Sequence, residues 1–234
     1  MSSPLSNNEK NFLQKTLITL HQQLSHHTRI SILADYFAGI MGELYPGSSA
    51  LRCIDVGCGD MKLAEKVHTL LSLKRASHWD CLDIYPLPEE LEAAECWQKY
   101  TCFDGKNLPF SAKYAQVTIL CDVLHHTDKD TQVFLLRECG RVSEFVVVKE
   151  HYQFGAWSNF VLGMMDRFGN SAYGVKVPAK YFSKDSFQAL YEAAGLERVS
   201  EISAIPLYNH LPLLRYVLAS KWQFIAVLKS KDGK

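Results

Sequence analysis

Cys53-Ile54-Asp55-Val56-Gly57-Cys58-Gly59-Asp60-Met61-Lys62-Leu63 joins an apolar run to a glycine turn and then to a helical pattern. The residues before it, Leu51 to Val56, read as a short buried strand. Those after it, Met61 to Val67, read as a helix start. The glycines therefore fall in a strand-to-helix turn. Such a turn lets backbone approach a ligand closely, with a helix N-terminus beside it.

The same alternation continues outward. Residues 8–24 and 28–44 read as two amphipathic helices, with Tyr36, Phe37, Ile40 and Met41 at helical spacing. Pro46-Gly47-Ser48-Ser49 separates them from the first strand. A helix is expected over about 60–73, a strand over 78–84, a helix over 88–96 and a short strand over 98–103. Ala115 to Cys121 reads as the fourth strand, Lys129 to Cys139 as a helix, and Ser143 to His151 as a fifth strand with an apolar centre. Residues 150–182 read as a long irregular region. Ser183 then caps a helix with Phe187, Leu190, Tyr191 and Ala194 on one face and Gly195 as its stop. Strands follow over 196–204 and 222–229. Strands separated by helices imply right-handed crossovers and an α/β, doubly wound, mostly parallel sheet.

The 234 residues suit one domain. Its expected divisions are an N-terminal helical cap (1–48), a core (49–150), an insert (151–182) and a C-terminal helix and strand pair (183–234). The chain is 47% hydrophobic and carries 25 basic and 25 acidic residues, so it can build a full core. That balance gives no broad electrostatic reason to expect nucleic acid or an anionic membrane as a partner. The N-terminus lacks a basic segment followed by an apolar one, and no stretch approaches membrane-spanning length. The seven cysteines show no paired CxxC spacing, which points to a reduced, cytoplasmic setting and to small core residues.

In sheets of this type ligands bind beyond the carboxyl ends of the strands. Four segments land there in order: the turn from Asp55 to Asp60, Asp83, Phe103-Asp104-Gly105, and Cys121-Asp122-Val123-Leu124-His125-His126-Thr127. This order, with Phe182 to Val199 downstream, resembles the class I S-adenosylmethionine-dependent methyltransferases. The resemblance implies a seven-stranded sheet whose last strand is antiparallel, an S-adenosyl-L-methionine cofactor and a methyl-transfer activity.

The residue types suit that cofactor. Backbone N–H groups around Gly57, Cys58 and Gly59 can hold its carboxylate, and Asp55 can favour its cationic end. Asp83 would accept from both ribose hydroxyls. The resemblance places Asp104 and the Gly105 N–H at the adenine edge and Asp122 beside the methionine moiety. Two positions depart from the family pattern. Met61 stands where a third glycine is usual, and Asp83 follows Asp55 at a longer spacing, attributed to a loop around Lys74–His78. A nicotinamide-dependent oxidoreductase is the weaker alternative, because the turn lacks the third glycine of GxGxxG and Asp60 would oppose a pyrophosphate. A non-enzymatic interaction protein on the same fold is another.

The resemblance points to a small-molecule substrate, and the even charge balance supports it. The chain is expected to act as a monomer or homodimer, without membrane insertion. His126 and His151 are the candidate general bases, with a solvated loop histidine as the plainer reading of His151 and with Glu150 or Tyr173 as substitutes. No metal is expected: adjacent side chains at His125 and His126 should point apart. The aromatics and methionines from Tyr152 to Tyr173 should form a lid over an apolar pocket.

Overall fold

The computed structural model describes residues 7–87, 99–169, 181–209 and 219–231, with the side chains of residues 7–25 and 168–169 left out. The elements are α1 (Asn7–Leu44), β1 (Ala50–Val56), α2 (Lys62–Ser72), β2 (Ala76–Asp83), β3 (Lys99–Cys102), β4 (Ala115–Cys121), α3 (Lys129–Val142), β5 (Ser143–His151), α4 (Ala156–Gly169), α5 (Lys184–Ala193), β6 (Leu196–Ser203) and β7 (Gln223–Ser230). The seven strands lie in the order β3-β2-β1-β4-β5-β7-β6. β1 pairs in parallel with β2 and β4, β2 with β3, and β4 with β5, while β7 runs antiparallel to β5 and β6. This is the doubly wound sheet expected, with the last strand reversed.

Each face of the sheet is covered by an apolar layer. α1 and α2 bury Phe37, Met41, Val67 and Leu71 with Val117, Ile119 and Val147 on one side, joined by Val161 and Leu162 of α4. α3 and α5 bury Leu135, Leu136, Phe187 and Leu190 with Leu120, Val146 and Val148 on the other. β5 thus alternates its side chains between two dry layers, as a central strand of such a sheet must.

Local chemistry sets the helix ends. Asp128 accepts the Thr131 N–H at 3.0 Å and starts α3. Ser183 and Ser186 form a reciprocal capping box at the head of α5, and Gly195 at φ 79° ends it.

Four expectations are corrected. The two N-terminal helices are one, because Ser25-His26-His27-Thr28 contains neither Gly nor Pro to break it. Residues 150–182 are not irregular throughout: β5 runs to His151, and α4 follows. The longer spacing to Asp83 is not in a loop at 74–78, since only residues 73–75 separate α2 from β2. His151 is not a solvated loop residue, because it pairs with Gln223 of β7 and is buried. The helix expected at 88–96 lies outside the described residues.

Candidate active site

The carboxyl ends of β1, β2, β4 and β5 converge on one edge. At β1 the turn is built from three left-handed residues, Gly57 (φ 75°), Gly59 (φ 52°) and Met61 (φ 59°). A Cβ at Gly57 would sit 2.4 Å from Val123 Cγ2, so glycine is required there by contact as well as by φ. A Cβ at Gly59 would meet nothing within 4 Å, so that side of the turn is open to a ligand. Met61 accepts the left-handed strain because its side chain is buried in the core between the turn and α2.

The N–H groups of this turn are already engaged. Gly57 and Cys58 donate to the Leu82 carbonyl at 2.7 and 3.1 Å. Gly59 donates to Asp83 Oδ2 at 2.9 Å, and Tyr85 donates to Asp83 Oδ1 at 3.2 Å. Asp83 therefore fastens the turn to β2, a role its place at a strand end did not reveal. Asp55 lies buried beneath the turn. Burial, then the charges of Asp83 and Asp60, raise its pKa to about 8. Asp104 is exposed and accepts the Lys106 and Asn107 N–H groups at 2.8 and 2.7 Å, closing its own turn. Gly105 follows at φ 77°.

At β4 and β5 a polar network occupies the interior. Asp122, itself left-handed at φ 58°, accepts from Arg29 of α1 and from Lys149 Nζ at 2.6 Å. His151 Nδ1 lies 3.2 Å from Asp122 Oδ1, and its Nε2 lies 3.3 Å from Lys149 Nζ. Beside them His125 Nδ1 meets Glu150 Oε2 at 2.6 Å, and its Nε2 lies 3.2 Å from Asp166 Oδ2 of α4. Tyr181 donates to the same Asp166 oxygen. Lys149, Glu150, His125 and His151 are all buried.

The pKa shifts follow from these contacts. Burial disfavours charge on His125, but Glu150 and Asp166 outweigh it and raise its pKa to about 10, so it is an imidazolium. Burial, then Lys149, push His151 well below its ordinary value, so it is neutral. Burial also opposes the charge on Asp122, yet Lys149, His151 and Arg29 hold it well below the carboxylate range. Three cations, Arg29, Lys149 and His125, then face three carboxylates, Asp122, Glu150 and Asp166. Such a balanced set is costly to break at any one member.

Two groups have metal-ligand spacing: Asp122, His125, Glu150 and His151, and His125, His126 and Asp166. The expectation that adjacent histidines point apart is corrected here. The 3₁₀ turn Leu124–His126 keeps the two rings 4.0 Å apart. In both groups the carboxylates already face cations: Asp122 meets Arg29 and Lys149, while Glu150 and Asp166 meet His125.

The structure thus gathers Asp55, Gly57, Cys58, Gly59 and Asp83 on one side of the edge and Asp122, His126 and His151 on the other. Val123 against Gly57 joins the two halves. Arg29, Lys149, His125 and Asp166 were missed as site residues. Arg29 meets Asp122 across 93 positions of chain, which no local pattern announces. Tyr173 lies outside the described residues.

No family model and no curated protein matches the chain. Solved structures do. The mitomycin 7-O-methyltransferase MmcR superposes with a TM-score of 0.60 at 19% identity, over 87% of this chain and 53% of that one. The Burkholderia thailandensis 1,6-didemethyltoxoflavin-N1-methyltransferase, with its substrate and S-adenosylhomocysteine bound, gives 0.59 at 12% identity over 99% and 94%. OxaC with S-adenosylhomocysteine and oxaline gives 0.56 at 14% identity over 79% and 44%. The chain spans about half the length of MmcR. The fold is that of the class I S-adenosylmethionine-dependent methyltransferases.

Proposed function

We propose that the chain transfers a methyl group from S-adenosyl-L-methionine to a nucleophilic atom of a small molecule. The observation that carries this reading is the buried Asp55 carboxyl beneath an open glycine turn that Asp83 fastens in place. A buried acid with a raised pKa, and no cation beside it among the described residues, calls for a cationic ligand. The turn and strand-end acids fit this cofactor. Asp55 would face its ammonium, Asp83 its ribose, and the Asp104–Gly105 turn its adenine. Because the turn's own N–H groups are engaged, Arg29 is the donor set for the carboxylate, beside Asp122. The cofactor supplies a methyl group on a good leaving group, so the protein's task is to position the reactants and exclude water.

His151 is neutral and sits between Lys149 and Asp122. With Nε2 facing the ammonium, Nδ1 carries the proton beside Asp122. That tautomer leaves His151 no free lone pair, so the base assigned here is His126. Burial and the two carboxylates keep the neighbouring His125 protonated, which rules it out as a base near neutrality.

Calorimetry tests the reading. S-adenosylhomocysteine should bind and nicotinamide dinucleotides should not; the reverse would end it. Turnover against a panel of small hydroxyl, amine and thiol acceptors separates an enzyme from a cofactor-binding interaction protein on the same fold.

A further inference from the structure

α4 is apolar on both of its faces. Its inner face sends Val161 and Leu162 into the core and Asp166 to His125. Its outer face carries Trp157, Phe160 and Met164, spaced by three and four residues, and Phe154 stands just before it. Their exposures are 65%, 58%, 41% and 49%. Trp157 and Phe160 lie side by side, with ring centroids 6.2 Å apart. A helix that is apolar all round is ordinarily buried, so this outer face calls for a cover.

The charges around the stripe say what kind. Arg167 closes its C-terminal end and is exposed. Lys221 lies with Nζ 5.4 Å from the Phe154 ring centroid and is also exposed. The acid of α4, Asp166, is turned inward to His125 and Tyr181. Aromatic side chains between cations, without an exposed carboxylate on the helix, match a surface that is apolar below and anionic above. No helix among the described residues is long and apolar enough to cross a membrane. The match is to helices that lie in the plane of a bilayer interface.

We propose that the outer face of α4, with Phe154, docks the protein on the surface of an anionic lipid bilayer. Trp157, Phe160 and Met164 enter the headgroup boundary, while Arg167 and Lys221 meet lipid phosphates. Docking sets the inner face of α4, and with it Asp166 and His125, directly above the bilayer. A substrate that partitions into lipid then reaches the site without crossing water.

The test is co-sedimentation of the full chain with vesicles of phosphatidylcholine alone and of equal parts phosphatidylcholine and phosphatidylserine. The chain should pellet with the mixed vesicles, and its tryptophan emission should shift to the blue. Trp157→Glu with Phe160→Glu should lower vesicle partition at least tenfold while leaving the melting temperature unchanged, since both side chains are exposed. Arg167→Ala and Lys221→Ala should each lower partition into the mixed vesicles by about fivefold, with little effect on phosphatidylcholine alone. Absence of wild-type binding to both vesicles overturns the proposal. So does self-association that rises with concentration and is lost in the double glutamate variant, because a second copy then covers the face. Neither readout uses turnover, so failure here is distinct from failure of the methyltransferase reading.

Discussion

Replacing Asp55 with asparagine separates what this carboxyl costs the fold from what it does for the cofactor. Its pKa stands at about 8 in the folded chain, against about 3.9 for an unperturbed aspartate. A raised acid makes folding more favourable when protonated. Its contribution is fully present below the unfolded pKa and is lost as pH rises toward the folded one. Integrating that difference, the wild type should lose about 2 kcal/mol between about pH 6 and about pH 8 through this residue alone. The amide of the Asp55→Asn variant has nothing to titrate, so that protein should lack this part of the slope and be the more stable of the two at the higher pH. The cofactor should show the opposite preference. At about pH 7 the carboxyl is about nine-tenths protonated, so pairing with an ammonium should release about 0.9 proton. Denaturant melts across pH give the first quantity. Calorimetry of S-adenosylhomocysteine in buffers of different ionisation enthalpy gives the second. Equal pH slopes for the two proteins, or proton release that persists in the variant, would refute the argument.

Asp83→Ala should weaken the cofactor at least tenfold and also cost about 1–3 kcal/mol of stability, because the Gly59 and Tyr85 N–H groups lose their acceptor. Met61→Gly should relieve about 1 kcal/mol of left-handed strain but lose about 2–5 kcal/mol of buried side chain, a net destabilisation visible in a thermal melt. His126→Gln should lower turnover about 10²–10⁴-fold with cofactor affinity intact; unchanged turnover on an accepted substrate would remove His126 as the base. The His125 ion pairs should stabilise the fold fully below about pH 6.5 and fade as pH rises through its folded pKa of about 10. His125→Gln should flatten that decline in a urea series.

The strands, α3 and α5 were legible because each shows a clear apolar run or period. Ser183 stood in the sequence as a cap and acts as one, whereas the cap at Asp128 came from the structure. α4 was not legible. Trp157, Phe160, Val161, Leu162, Met164 and Met165 face both ways, so no helical period separates them from an irregular apolar run. The order of strand-end acids placed the glycine turn, Asp83 and Asp122 along one edge. It did not reveal that Asp83 would bind the turn's own Gly59. It also did not reveal that Lys149 and Glu150, adjacent in β5, would both enter one buried ion network, Lys149 against Asp122 and Glu150 against His125. That network is complete only once Arg29 and Asp166 arrive from distant segments. Ion pairs of this kind are set by tertiary approach, on which local spacing is silent.

The position of β7 bears on how the protein is made. It lies between β5 and β6, so β6 has no strand partner until residues 223–230 have been synthesised. While the chain is still emerging, β5 is an open edge, and His151 lacks its cross-strand partner Gln223. The pairing of Lys149 with Ile225 closes a long loop, a late and slow step by the usual relation between sequence separation and rate. The growing chain can therefore complete its glycine turn well before the wall behind Lys149 and His151 exists. Cleavage that removes β7 should return a finished protein to that half-assembled stage, with the glycine-turn side of the edge intact and the β5 side open.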